Sequence, residues 1–151
     1  AIIKKVIKNF KGLPHRLEFV REVHGVKYYN DSASTNPAAT IAALRAFNAS
    51  KILIAGGASK NLSYRPLKDG IVKSNIKLVI LYGENKKEIS NAVGKASPVI
   101  KTRNLVSAVK IAFRKAKKGD VVLLSPASTA FDQFDGYAER GGVFKKLVGR
   151  I

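Results

Sequence analysis

The chain has no cysteine, no methionine and no tryptophan among its 151 residues. Without cysteine, neither a disulfide framework nor a thiolate metal site is available. Its two histidines, His15 and His24, read as structural or surface groups, and no metal site is expected. No stretch approaches the ~18 consecutive apolar residues of a membrane span, and Ala1-Ile2-Ile3-Lys4-Lys5 lacks the apolar core of a secretory leader. A cytoplasmic protein without membrane contact is therefore expected. Because no methionine is present, the chain is read as a piece of a longer protein. No Gly-x-Ser-x-Gly elbow occurs, which argues against a serine nucleophile.

What is present describes a folded domain. Hydrophobic residues make up 46% and aromatics 8%, and no low-complexity tract interrupts them, so disorder is excluded. Acidic residues are scarce, however. Twenty-eight Lys and Arg face ten Asp and Glu, for a net charge of +18. Such a surface raises nucleic-acid binding as an alternative, since phosphates demand dense positive charge. Yet the lysines are scattered over helix exteriors (Lys4, Lys5, Lys8; Lys86, Lys87; Lys115, Lys117, Lys118; Lys145, Lys146). They do not alternate with aromatics as an RNA-binding sheet requires. Anionic small substrates or an acidic partner domain suit that distribution better.

Hydrophobic spacing predicts alternating strands and helices. Ile3, Val6, Ile7 and Phe10 fall at helical spacing, and Gly12 and Pro14 end that helix. Leu17–Val23 and Val26–Tyr29 read as strands joined at His24-Gly25. Asn36 caps a helix that opens at Pro37 and runs to Phe47. Strands are expected at Lys51–Ala55, Lys77–Tyr82, Pro98–Lys101 (a short edge strand) and Val121–Leu124. Helices are expected within Asn61–Val72, over Lys86–Val93, after the cap Asn104, and along Tyr137, Gly141, Phe144 and Val148. The prediction is an α/β fold, a Rossmann-like, mostly parallel sheet with helices on both faces.

Three polar loops follow strands in this scheme: Asn30–Pro37, Gly56–Lys60 and Ser125–Ala130. In such sheets ligands bind beyond the carboxyl ends of the strands. Asp31 lies among Ser32, Ser34 and Thr35 beside a helix start, where a carboxylate could hold a ribose diol and the helix end an anion; capping alone is the other reading. Gly56-Gly57-Ala58-Ser59-Lys60 is no phosphate-binding P-loop, which needs Gly-x-x-x-x-Gly-Lys-Ser/Thr. It presents one lysine on a flexible turn, suited to a carboxylate or phosphate. Arg16, held by Pro14 at the entry to the first strand, suits bidentate phosphate contact. The loops are therefore suited to grip anions, an exposed lysine on a turn and an arginine in a surface ion pair being the other readings. No P-loop ATPase centre is recognisable in the chain.

Together, Gly12-Leu13-Pro14-His15-Arg16, Asn30-Asp31-Ser32…Thr35-Asn36-Pro37, Gly56-Gly57…Lys60 and Ser125-Pro126-Ala127…Phe131-Asp132-Gln133-Phe134…Glu139-Arg140-Gly141 resemble the C-terminal domain of the Mur ligases. Within that family they look like the branch that adds D-glutamate to UDP-N-acetylmuramoyl-L-alanine in bacterial peptidoglycan synthesis. A sibling that adds another amino acid is the alternative inside the family. The resemblance implies residues 12–151 as the C-terminal domain and 1–11 as the linker helix from a missing central domain. It also implies ATP and Mg²⁺ as cofactors, the metal held mainly by that central domain together with most of the nucleotide-sugar chemistry, and a missing N-terminal domain.

The same resemblance implies that Arg16 contacts the ATP phosphates and Asp31 the ribose. Thr35 and Lys60 would take one carboxylate of D-glutamate, with Phe131 and Tyr137 lining its other end. No catalytic residue is assigned to this chain. Ala33 stands where the family commonly has lysine. Ala130 stands where a serine commonly bonds the side-chain carboxylate, and Ser128 or Thr129 is the nearest substitute hydroxyl.

Overall fold

The computed structural model describes residues 12–151 together with Ile2. The expected linker helix over 1–11 otherwise lies outside the described residues. Six strands form one sheet: β1 (Glu18–Val23), β2 (Val26–Asn30), β3 (Lys51–Gly56), β4 (Ile76–Tyr82), β5 (Val99–Lys101) and β6 (Val121–Leu124). Their order is β1-β2-β6-β3-β4-β5. Only β1 runs antiparallel, paired with β2, while all other neighbours are parallel. The β1–β2 turn has positive φ at both central residues, 51° at His24 and 75° at Gly25. That twist suits a two-residue hairpin, and it explains the Gly at the second position.

Five helices cover the sheet: α1 (Pro37–Arg45), α2 (Arg65–Val72), α3 (Lys86–Val93), α4 (Leu105–Lys115) and α5 (Tyr137–Val148). Every residue of β3 and β6 is buried, as expected of strands covered on both sides. Ile52, Ile54, Val122 and Leu124 pack with Ala108, Val109 and Phe144 under α4 and α5. Their neighbours Leu53, Ala55, Val121 and Leu123 pack on the opposite face with Leu44, Leu67 and Ile89 from α1, α2 and α3. The period-two alternation of the strands therefore builds two cores at once.

Asn36 caps α1 and Asn104 caps α4, each side-chain oxygen accepting a backbone N–H at 2.9 Å. Helix α1 stops at Arg45, short of the expected Phe47. Just beyond it, the ammonium of buried Lys51 takes the carbonyls of Phe47 and Ala49, both at 2.7 Å. Burial pulls the pKa of Lys51 below its ordinary value. Because β2, β3, β4 and β6 are parallel, their carboxyl ends share one edge of the sheet. The loops that follow them emerge side by side there.

Candidate functional site

At that edge the loops divide into a buried layer and an exposed one. Arg140, from the first turns of α5, is fully buried. Its Nε donates to Ser32 Oγ at 2.9 Å, one terminal nitrogen to Ser32 O at 2.7 Å and the other to Ser128 O at 2.9 Å. One planar guanidinium thus ties the loop after β2 to the loop after β6. Burial lowers its pKa, while nearby Tyr82 and Asp132 hold it up. Tyr82 is itself pushed up to about 12, chiefly by burial.

Asp31 lies in the same layer and is 1% exposed. One oxygen accepts from Leu17 N at 3.1 Å; the other accepts from the hydroxyls of Ser34 at 2.5 Å and Ser125 at 2.7 Å. The carboxylate expected to meet a ribose therefore faces inward, most of its lone pairs taken. One acceptor position, on Oδ1, is left, on a carboxylate that is 1% exposed.

Asn30 extends the layer toward α5. Its amide donates to Glu18 Oε2 at 2.9 Å and lies 2.9 Å from His15 Nδ1, while Lys145 reaches Glu18 Oε1 at 2.8 Å. Burial alone would raise the Glu18 pKa, but Lys145 and the His15 and Asn30 donors lower it on balance. Gly141 lets α5 approach this cluster, since a Cβ there would stand 2.2 Å from His15 Nδ1. His15 is thus structural, as expected.

The exposed layer carries the cations. Arg16 follows the Pro14-His15 turn, which is fixed by Ala33 N donating to His15 O at 2.9 Å. Arg16 is exposed and makes no ion pair among the described residues. Lys60 is also exposed, its ammonium 5.3 Å from the centroid of the Phe131 ring. Phe131 is 63% exposed and Tyr137 48%. The Tyr137 ring meets His15 edge-on at 6.0 Å, and its carbonyl accepts from Ser32 Oγ at 2.8 Å. Thr35 is half-buried, one residue ahead of the α1 cap.

The structure thus pairs Lys60 with Phe131 and sets Tyr137 beside the Arg16 turn. It also separates the two substitute hydroxyls for Ala130. Ser128 is fully buried, its Oγ accepting from Asn85 Nδ2 at 2.6 Å and lying 3.3 Å from Tyr64 OH. Thr129 Oγ1 is buried with no hydrogen-bond partner, as is Asp132 Oδ1. Desolvation pushes the Asp132 pKa up. Sequence reasoning missed Asn85, Tyr64 and Arg140 as parts of the site. Arg140 stood inside a quoted motif, but nothing in a sequence shows that an arginine faces inward.

Fold and site define a class: a Rossmann-like domain with exposed cations above a buried, hydrogen-bonded layer at the carboxyl ends of its strands. The model of the "Mur ligase, glutamate ligase domain" matches residues 15–128, and the chain belongs to the Mur ligase family. It is 48% identical over 149 residues to a UDP-N-acetylmuramoylalanine–D-glutamate ligase of Bdellovibrio bacteriovorus, covering 99% of this chain and 32% of the relative. A ligase of the same name from Acetivibrio thermocellus is 43% identical, with 99% of this chain and 34% of the relative covered. The chain thus spans about a third of the length of these relatives.

Among solved structures, a bifunctional folylpolyglutamate synthase/dihydrofolate synthase from Yersinia pestis aligns with TM-score 0.65 at 15% identity, over 93% of this chain and 32% of that one. The MurF ligase of Thermotoga maritima in complex with ADP aligns with TM-score 0.59 at 22% identity, over 95% and 33%. These likenesses establish the fold.

Proposed function

We propose that this chain is the amino-acid-binding domain of an ATP-dependent ligase that joins D-glutamate to UDP-N-acetylmuramoyl-L-alanine, with ATP and Mg²⁺ held mainly by the missing central domain. The observation that carries this reading is the pairing of exposed cations that make no ion pair among the described residues with a buried, hydrogen-bonded base at the strand ends. Lys60, with Thr35, would take one carboxylate of D-glutamate. Phe131 and Tyr137 would line the other end, and Thr129 would donate to the second carboxylate in place of the hydroxyl absent at Ala130. Ser128 is the weaker substitute because Asn85 and Tyr64 already engage its hydroxyl.

Arg16 would meet the ATP phosphates when this domain closes on the central one. Asp31 would support that contact by holding the segment that carries Arg16, through Leu17 N. In the ligase chemistry the resemblance implies, ATP converts the substrate carboxylate into an acyl phosphate. The role of this chain is to hold the attacking amine's owner by its two carboxylates. Among the described residues no three His, Asp or Glu side chains gather into a cation site, and no step through the metal is assigned to them. The nucleic-acid alternative is set aside by the family membership.

The test is Lys60→Ala in the full-length enzyme. The expected outcome is a rise of about tenfold in the D-glutamate KM, with the ATP KM within about twofold. An unchanged D-glutamate KM removes Lys60 from the site.

A further inference from the structure

We propose that Asn85 is the positioning residue that sets where Lys60 and Thr129 stand, and hence how the domain spans a dicarboxylic amino acid; this deepens, and rests on, the function proposed above. Asn85 occupies the cap position of α3 but makes no capping bond there. Fully buried, it directs its amide backward instead. Its Oδ1 accepts from Gly57 N at 3.0 Å, and its Nδ2 donates to Ser128 Oγ at 2.6 Å, Tyr64 OH at 2.7 Å and Ala58 O at 3.3 Å. Its backbone N–H donates to Gly57 O at 3.2 Å. Both polar ends of Gly57 are thus held by one residue.

The flanks of the Gly56-Gly57 turn are held by backbone, Gly56 N donating to Pro126 O at 2.9 Å and Ala58 N to Thr129 O at 3.0 Å. Gly57 between them is held by Asn85, and the turn has no side chain of its own. Nor could it have one. A Cβ at Gly56 would lie 1.9 Å from Tyr82 O, and one at Gly57 would lie 2.2 Å from Thr129 O. Beyond Ala58 the loop is tied only at the surface, where Ser59 bonds Glu84 and Glu88. Lys60 follows two residues after Ala58, so the position of its ammonium depends on how the backbone at Gly57 and Ala58 is held. The same Asn85 amide holds Ser128, the neighbour of Thr129, whose own hydroxyl is unpartnered. One buried amide therefore references both groups proposed to grip the ligand, one at each end.

The experiment compares full-length wild type with Asn85→Ala, Asn85→Asp and the Asn85→Ala/Lys60→Ala pair. It reads D-glutamate KM, ATP KM, and deuterium uptake at the amides of Gly57 and Ala58. Asn85→Ala is expected to raise the D-glutamate KM about tenfold, leave the ATP KM within about twofold, and speed uptake at Gly57 more than at Ala58, whose N–H donates to Thr129 O. Lys60→Ala is expected to add little in that background, because a lysine already misplaced has little left to lose. Asn85→Asp should restore most of the affinity. Its carboxylate still accepts from Gly57 N, and the Ser128 and Tyr64 hydroxyls can turn round and donate.

Faster uptake with an unchanged D-glutamate KM overturns the proposal, leaving Asn85 a purely architectural residue. So do additive effects of the two substitutions. Should the alanine variant not fold, Asn85→Ser, too short to reach Gly57 and Ser128 together, must show the same KM shift in milder form. A wild-type enzyme that consumes no D-glutamate fails the functional reading itself, and that is visible before any variant is made.

Discussion

The buried and exposed layers meet at the same edge of the sheet and obey opposite physics. Asp31, Ser32, Asn85, Ser128 and Arg140 are buried and hydrogen-bonded within the protein. Arg16 before β1, Lys60 after β3, and Phe131 and Tyr137 after β6 are exposed. Two of them are cations without a carboxylate partner. A buried polar group left without its partner is costly, whereas an exposed cation costs little to leave waiting. Rigidity and ligand affinity are therefore separable by substitution here, and that separation is what experiment can break.

The largest effect is expected at Arg140. Arg140→Met keeps volume but strips donors from two buried carbonyls and one hydroxyl. Chemical denaturation should show a loss of about 3–5 kcal/mol. A loss below about 1 kcal/mol would mean the inner layer is not what holds the loops. Asp31 and Arg16 form the next contrast. Asp31→Ala should cost about 2–4 kcal/mol of stability by orphaning Leu17 N and two hydroxyls. Arg16→Ala should leave stability nearly unchanged and raise the ATP KM of the full-length enzyme. The reverse pattern would restore Asp31 as a direct nucleotide ligand and dissolve the two-layer picture at this loop.

Acid should reach the inner layer through Glu18. Its folded pKa is lowered, so its contribution is fully present above the unfolded value and is lost as pH falls through the folded one. Stability should then decline below about pH 4, by no more than about 1 kcal/mol, since Lys145 screens it only from a half-exposed position. Glu18→Gln should flatten that part of the pH profile. A profile unchanged by the substitution would assign the acid sensitivity elsewhere, Asp120 beside Lys77 being the other lowered carboxylate.

How much of this could be read from sequence depends on which layer is asked about. Strands such as Ile52–Ala55 and Val121–Leu124 announce themselves as apolar runs bounded by turns, and Asn36-Pro37 spells a helix start. The exposed tips were legible because motifs display them. The inner layer was not, because burial of a polar side chain leaves no periodic signal. Asp31, Ser34 and Thr35 look alike as a hydroxyl- and carboxylate-rich loop, yet only tertiary contact with Ser125 and Leu17 turns Asp31 inward. Asn85 resembles a routine helix cap, and only the approach of β3 to β4 shows its amide facing the other way.

The smallest and most discriminating test concerns the Lys60–Phe131 contact. An ammonium over a solvent-exposed ring contributes about 0.5–1 kcal/mol, so Phe131→Ala should shift stability by no more than about 1 kcal/mol. Its value lies in restraint. A free lysine loses about 2 kcal/mol of rotamer entropy when a ligand immobilises it, and a ring that already narrows its range removes part of that cost. Phe131→Ala should therefore raise the D-glutamate KM by about threefold, through pre-organisation and lost packing together. Phe131→Leu separates the two, because leucine keeps the apolar wall but offers no π face. If the leucine variant matches wild type, the ring acts only as a wall. If it matches alanine, the attraction between ring and ammonium is what keeps the outer layer poised over the inner one.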